Sequence, residues 1–237
     1  PKPCNGRHRR DRHCRGRGIF AIPSRRLDRR LKLSPDHRQA LRDVLTWRRD
    51  VRHFKTDPID AERVDRLRAA MDLAPSVGNA RPWRVMQVQS PDKRAAIIAD
   101  FEAANDEAAS KYSGTKRDSY MALKLAGLRE APVHLAVFTE HEPDAGHGLG
   151  RQTMPEMLAY STVAAIHTLW LAARADNIGM GWVSILNPAS VHGILDAPAT
   201  WSLTAYLCLG IAQDDNDTPL LHRKEWQENS PTRWRTV

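Results

Sequence analysis

The sequence predicts one domain that contains both helices and strands, either α+β or three-layer α/β, from residue 34 to residue 237. Two patterns support this prediction. Apolar residues recur at helical spacing in several long segments, whereas short apolar runs flanked by Pro or Gly are typical of buried strands. Strands and helices are mixed along the chain with helices in the majority, and such mixtures pack as layers around one core.

The helices can be located from their apolar stripes and their ends. We expect the first over residues 34–47, an amphipathic helix over 60–73, and a mainly helical region over 91–130. The segment from Glu156 to Ile178 is apolar on nearly every side, so we expect a helix that is buried all round. Gly179 follows it and should end it in the left-handed conformation.

Four short segments are predicted to be strands. Residues 83–89 alternate loosely between apolar and polar, as expected of a strand with one exposed face. Residues 133–138, 180–186 and 203–211 are almost continuously apolar, which predicts strands buried on both faces.

The chain carries a formal net charge of +8, and this charge is concentrated at its N-terminus. Residues 1–30 contain 11 of the 36 Lys and Arg residues but only 2 of the 28 Asp and Glu residues. Because residues 1–33 show no sustained apolar period, we expect a disordered basic tail there. The nearly neutral body gives no signal for nucleic acid, so binding of nucleic acid or another partner through the tail is the most remote functional alternative.

The cysteines and the apolar segments bear on location. Cys4, Cys14 and Cys208 form no disulfide framework, which fits a reducing, cytoplasmic setting. No stretch of about 18 residues is continuously apolar, so the sequence predicts no membrane span.

Three arginines surround one aspartate directly after the first predicted helix. Arg48, Arg49 and Arg52 flank Asp50, and forked guanidinium donors match the oxygens of a phosphate. A solvated charge cluster at a helix end is the other interpretation, and this segment alone does not decide between them. Asp50 is either an ion-pair partner or, against an apolar ligand, a proton carrier.

Two further segments combine glycine with hydrogen-bonding side chains. The loop at 74–83 offers Ser76 and Asn79, and the segment 179–185 places Ser184 in a buried strand, where its hydroxyl needs a partner. A plain turn and a serine bonded to the backbone are the simpler interpretations. The sequence contains no nucleophile elbow, no Rossmann glycine motif and no metal-ligand spacing, so none of these sites is indicated.

The order of these features resembles that of the nitroreductase-like FMN proteins, across residues 40–225. Three stretches, at 47–52, 148–156 and 181–186, are similar to one branch of that family, the aerobic 5,6-dimethylbenzimidazole synthases. Their sequences are Trp-Arg-Arg-Asp-Val-Arg, Gly-Leu-Gly-Arg-Gln-Thr-Met-Pro-Glu and Gly-Trp-Val-Ser-Ile-Leu. Ordinary nitroreductases more often carry Ser where Asp50 stands, and they lack the second stretch.

The resemblance implies a three-layer α+β fold with a central mixed sheet and a long buried helix, and a homodimer with two FMN sites at its interface. The arginine segment would hold the phosphate and the pyrimidine side of the ring. The loop at 74–83 would lie near the isoalloxazine, and the strand at 181–186 would lie near N5 of the flavin. Gly210 and Arg223 would close the phosphate end of the site. The residues assigned to FMN are Arg48, Arg49, Asp50, Val51, Arg52, Ser76, Asn79, Val183, Ser184, Gly210 and Arg223.

The implied activity is the oxidative fragmentation of reduced FMN by dioxygen. It would yield 5,6-dimethylbenzimidazole, the lower ligand of cobalamin, and erythrose 4-phosphate, so that FMN is both cofactor and substrate. Asp50 would act as the acid–base residue and Ser184 would supply an orienting hydrogen bond. The electrons could come from NAD(P)H or from a separate flavin reductase, and the main alternative activity is that of an NAD(P)H-dependent nitroreductase or flavin reductase.

Overall fold

A computed structural model describes residues 32–123 and 127–237. Contacts between residues divide the chain between Arg38 and Gln39, and the part from Gln39 onward contains the sheet. The predicted disorder of residues 1–33 falls outside the described residues for all but its last two positions and stays a prediction. The helices are α1 (Pro35–Trp47), α2 (Ala61–Met71), α3 (Pro91–Ser110), α4 (Gly114–Met121), α5 (Met157–Ala175), α6 (Pro188–Leu195) and α7 (Leu220–Arg223), and the strands are β1 (Trp83–Gln87), β2 (Val133–Glu140), β3 (Gly179–Val183) and β4 (Trp201–Gly210).

Several helices begin where a polar side chain satisfies the free amides of the first turn. Asp60 accepts a hydrogen bond from the backbone N–H of Arg63 before α2, at 2.8 Å. Ser90 and Asn187 cap α3 and α6 in the same way, each followed by a proline at the first helical position. These caps fix the starts of the helices locally, as the composition of the sequence favours.

The long helix α5 lies where the sequence predicted a helix, over residues 156–178, but it is not buried on every side. Tyr160 is 54% exposed and Val163 41% exposed, so one stripe of the helix faces outward in the single chain. The helix ends with Asn177 in the left-handed conformation, at φ 54°, and Gly179 instead begins β3. Asparagine tolerates this conformation because its short polar side chain can bond locally.

The four strands form one sheet in the order β1-β2-β4-β3, and every pair among them is antiparallel. In the described part of the chain, the parallel pairing expected of a mixed sheet is confined to one isolated bridge, between Asp50 and Met180. The strand predicted over residues 180–186 ends at Val183, so Ser184 lies beyond the sheet.

Helices cover both faces of the sheet, which gives the expected three layers. On one face α2 and α5 pack on a core that includes Leu67, Ile166 and Leu207. On the other face α3 and α6 pack on a core that includes Ile97 and Val191. Because both faces are covered, residues 205–210 of β4 are buried on either side, which explains their continuously apolar sequence. Within the described residues no helix is long and apolar enough to span a membrane.

Candidate active site

The arginine segment runs along the ends of two strands. The backbone N–H of Val51 donates to the carbonyl of Met180 at 3.0 Å, and the N–H of Lys55 donates to the carbonyl of Ile211 at 2.8 Å. The side chain of Phe54 is fully buried between these two points. The segment is therefore held to the sheet by its backbone.

Gly181 is required by this close approach. A Cβ atom at this position would lie directly against the carbonyl oxygen of Val51, closer than real Cβ atoms come. The same Cβ position is 3.7 Å from Oδ1 of Asp50. Only glycine therefore lets Asp50 and Val51 lie flat on β3.

The carboxylate of Asp50 is fixed by one bond to each oxygen. Oδ1 accepts a hydrogen bond from the backbone N–H of Trp182 at 2.9 Å. Oδ2 forms an ion pair with Nε of Arg52 at 3.0 Å. This arrangement holds the carboxylate in one orientation at the end of the sheet, where it also lines a pocket.

Arg49 is half-buried and only partly satisfied. Its Nη1 donates to the carbonyl of Arg48 at 2.6 Å, and its Nη2 donates to the carbonyl of Asp217. Among the described residues Nε of Arg49 has no hydrogen-bond partner, although it is buried. Burial, and then the neighbouring charge of Arg48, lower the pKa of the Arg49 guanidinium. A buried donor of this kind is a suitable partner for an anionic oxygen.

The side chain of Arg48 packs against helix α5. Its guanidinium lies over the ring of Trp170, 4.6 Å from the centroid. The indole N–H of Trp170 in turn donates to the carbonyl of Arg49 at 3.3 Å. Arg48 therefore stacks on α5, and it lines a small neighbouring cavity together with Arg49 and Val51.

The other two arginines line one pocket of about 420 Å³. The sequence resemblance indicated Arg223 for this end, and Arg223 is part of its wall. The resemblance did not indicate the wall opposite the arginine segment, which is formed by residues 214–218 after β4. The polar run that directly follows this buried strand was a usable signal for it. The lining residues are Arg49, Asp50, Val51, Arg52, His53, Asp214, Asp215, Asn216, Thr218, Leu220 and Arg223.

Ser76 and Asn79 lie elsewhere in the same chain. The backbone N–H of Val77, between them, donates to Oγ of Ser161 in the first turns of α5, at 3.0 Å. Trp170, on which Arg48 stacks, is nine residues further along α5, a helical rise of about 13 Å. One chain therefore does not bring this loop to the arginine pocket.

The remaining predicted residues lie around β3 and β4, outside the pocket wall. Val183 is buried and pairs with Tyr206 in the sheet. Ser184 is exposed, contrary to the buried serine expected from the sequence, because β3 ends one residue earlier. Gly210 is packed under Phe54 and Pro132, where a Cβ atom would come within 3.0 Å of both, so its role there is one of packing.

Comparison with known proteins decides the family. The model of the nitroreductase family matches residues 45–211, a range that includes the arginine segment, α5 and the whole sheet. The chain belongs to the nitroreductase family.

Two curated proteins, both called 5,6-dimethylbenzimidazole synthase, match most of the chain. That of Rhodobacter capsulatus is 59% identical over 198 residues, which cover 84% of this chain and 96% of the relative. That of Rhodospirillum rubrum is 52% identical over 197 residues, which cover 83% of this chain and 93% of the relative. The matches thus cover more than nine-tenths of each relative and more than four-fifths of this chain.

A solved structure of the same fold is that of an oxidised iodotyrosine deiodinase bound to FMN and 3-iodo-L-tyrosine. It superimposes with a TM-score of 0.66 at 22% identity and covers 83% of this chain and 100% of the other. At this identity the likeness shows the nitroreductase-like fold, which confirms the fold class predicted from the sequence.

Proposed function

We propose that this nitroreductase-family chain is an aerobic 5,6-dimethylbenzimidazole synthase, which fragments reduced FMN with dioxygen to 5,6-dimethylbenzimidazole and erythrose 4-phosphate. The near full-length identity to two proteins of that name supports the proposal. The observation that carries it is the pocket in which Arg49, Arg52 and Arg223 meet Asp50. In this pocket, guanidiniums that can bind a phosphate lie beside a carboxylate that is held in one orientation.

The residues present fit FMN. The pocket has room for the phosphate and ribityl end, and the buried Nε of Arg49 is a donor without a partner among the described residues. Arg52 and Arg223 add two further guanidiniums to the wall. When bound, FMN would supply the reaction with dioxygen and the carbon skeleton of the product. The chain would bind the phosphate, orient the ring along β3 and exclude water from it.

Asp50 is the proton carrier in this proposal. Its carboxylate is anchored by the N–H of Trp182 and by Arg52, so its position changes little while it takes up or gives a proton. A carboxylate held within hydrogen-bond reach of a substrate C–H or N–H can act as a general base. Ser184, exposed just beyond β3, would supply an orienting hydrogen bond from its hydroxyl.

We also propose a homodimer in which each site takes residues from both chains. Ser76 and Asn79 are at the far end of α5 from the arginine pocket, so a second copy would have to bring them to the ring. The exposed stripe of α5 at Tyr160 and Val163 is apolar and provides a surface for that copy. Two equivalent FMN sites would then lie across the interface.

The electron source and the location complete the proposal. Either NAD(P)H or a separate flavin reductase would reduce the flavin, and a cytoplasmic setting would give access to both.

The test is to mix the purified protein with chemically reduced FMN and air, and to search for 5,6-dimethylbenzimidazole by mass spectrometry. We expect the wild type to form it. We expect Asp50→Asn to bind FMN within a few-fold of wild type and to form none, because the amide keeps the shape but cannot accept the proton. Exposed Asp43, on α1, gives the matched control variant Asp43→Asn.

Two results would contradict the proposal. Turnover of NAD(P)H with a nitroaromatic acceptor, with the flavin recovered intact, would identify an ordinary nitroreductase. Equal product from wild type and Asp50→Asn would remove Asp50 from the mechanism while leaving the activity itself in place.

A further inference from the structure

The short helix α7 forms part of the wall of the arginine pocket but has little support of its own. It spans only Leu220–Arg223, and none of these residues is buried. Leu220 and Arg223 both line the pocket. An isolated helix of this length is not stable in water, because its first turn fixes several residues for a single hydrogen bond. The place of Arg223 therefore depends on the contacts that the neighbours of α7 make.

The chain turns back sharply after α7. Glu225 adopts the left-handed conformation, at φ 53°. Its N–H donates to the carbonyl of His222 at 3.0 Å. The next N–H, that of Trp226, donates to the carbonyl of Leu221 at 2.9 Å. Two such bonds around a left-handed residue form a Schellman motif, which closes the C-terminus of a helix. Trp226 is therefore tied to α7 by its backbone, so whatever holds its side chain also holds the helix.

The side chain of Trp226 packs against α4 and the turn before it. Its ring is nearly perpendicular to that of Tyr112, with centroids 5.7 Å apart, and is tilted against that of Tyr120, at 6.1 Å. The two tyrosines stack on each other, with centroids 5.0 Å apart. Nζ of Lys116, on α4, lies 3.5 Å from the centroid of the Trp226 ring. Aromatic rings at these distances attract each other, and the cation over the indole face adds an electrostatic attraction.

The tyrosine side of this contact is anchored to the core. Tyr120 is buried, and its hydroxyl donates to Oδ1 of Asn105 on α3 at 2.8 Å. Helix α3 in turn buries Ile97 and Ala109. Trp226 thus joins a helix that has little support to a pair of helices that is well supported.

We propose that Trp226 is a positioning residue, which holds α7 against α4 so that the guanidinium of Arg223 stays at the pocket. The inference rests on the proposed function, since it takes the phosphate of FMN to be the group that Arg223 binds. Trp226 does not itself line the pocket, so it acts through α7. Its loss should weaken the part of FMN binding that Arg223 supplies and leave the rest of the site intact.

The experiment is a double-mutant cycle, in which oxidised FMN is titrated and the quenching of its fluorescence is followed. We expect Trp226→Leu to raise the FMN dissociation constant by about threefold to tenfold and to reduce its salt dependence, as Arg223→Gln does. In the Arg223→Gln background, Trp226→Leu should change the constant by less than about twofold, because the guanidinium that it positions is already absent.

A conservative variant and a matched control accompany the cycle. Trp226→Phe keeps a ring for Lys116 and the tyrosines, so we expect it to bind FMN within about twofold of wild type. Trp234→Leu is the control, because Trp234 lies further along the same C-terminal segment and is 91% exposed. It should leave the affinity and its salt dependence unchanged. If Trp226→Leu failed to fold, Lys116→Gln would give the same cycle through a milder change at the exposed surface of α4.

Two results would overturn the inference. One is an equal loss of affinity on Trp226→Leu with and without Arg223, which would show a structural role unconnected with the guanidinium. The other is wild-type affinity and salt dependence in Trp226→Leu. If wild type bound no FMN, the proposed function would fail and the inference with it; if wild type bound FMN and the cycle were additive, only the role of Trp226 would fail.

Discussion

A methyl group added at position 181 should damage the site although residue 181 does not itself line the pocket. In Gly181→Ala the new Cβ atom would collide with the carbonyl oxygen of Val51, which is backbone and cannot rotate away. The arginine segment would have to lift from β3. Two hydrogen bonds would be lost or strained, from Val51 to Met180 at 3.0 Å and from Trp182 to Asp50 at 2.9 Å.

Each of these bonds contributes about 1 kcal/mol net, so their loss amounts to about 2 kcal/mol. If this whole free energy is lost from ligand binding, the dissociation constant for FMN rises by about thirtyfold. If it is lost instead from the free energy of unfolding, the melting temperature of the variant falls by several degrees. We expect a combination of the two, together with a loss of 5,6-dimethylbenzimidazole formation because Asp50 is displaced.

Fluorescence titration with FMN and thermal unfolding measure the two effects on the same samples. Gly193→Ala is the matched control, since no atom lies within 4 Å of a Cβ built there and α6 should gain helix propensity. We expect it to bind FMN as wild type does and to be as stable or slightly more so. Wild-type affinity and product yield in Gly181→Ala would refute the reasoning that this glycine holds Asp50 and Val51 in place.

Three further predictions follow from the geometry. Arg49→Gln should raise the FMN dissociation constant about tenfold to a hundredfold and reduce its salt dependence, because a charge-assisted bond is lost; an unchanged salt dependence in the titration would exclude Arg49 from phosphate binding. Burial, and then Arg94, lower the pKa of His134 to about 4, so the unfolded chain takes up a proton below pH 6.5 before the folded chain does. The free energy of unfolding should therefore fall by about 3 kcal/mol between pH 6.5 and pH 4 and stay level above this range; denaturant titrations should show a shallower fall in His134→Phe, and equal slopes would refute the assignment. Val163→Glu, with Ala99→Glu on the exposed face of α3 as control, should convert the proposed homodimer into monomers in analytical ultracentrifugation; a stable dimer would exclude this stripe as the interface.

Local sequence patterns were sufficient for most of the secondary structure. The helix over α5 and the strands β2 and β4 were predicted because their apolar residues follow the period of one element and their ends carry Pro or polar caps. Helix α6 was not predicted. It buries only Val191 and Leu195, so its apolar pattern is too short to be distinguished from a loop.

The family and the arginine motif were also determined by the sequence, because the resemblance depends on contiguous residues and their order along the chain. The sequence alone indicated the segment around Asp50, and the structure places two of its three arginines at one pocket. The tertiary structure decided which two, since the ring of Trp170 takes Arg48 and leaves Arg49 and Arg52.

What only the tertiary structure decided concerns residues far apart in the chain. The second wall of the pocket is formed by Asp214, Asp215, Asn216 and Thr218. This wall follows from the pairing of residues 53–55 with 211–213, which no local pattern reveals. Ser76 lies near the end of α5 that is remote from Trp170 and the arginine segment. This position follows from the hydrogen bond that the N–H of Val77 donates to Oγ of Ser161. Side-chain periodicity fixes which face of an element is buried, but which distant element covers that face depends on packing of the whole chain.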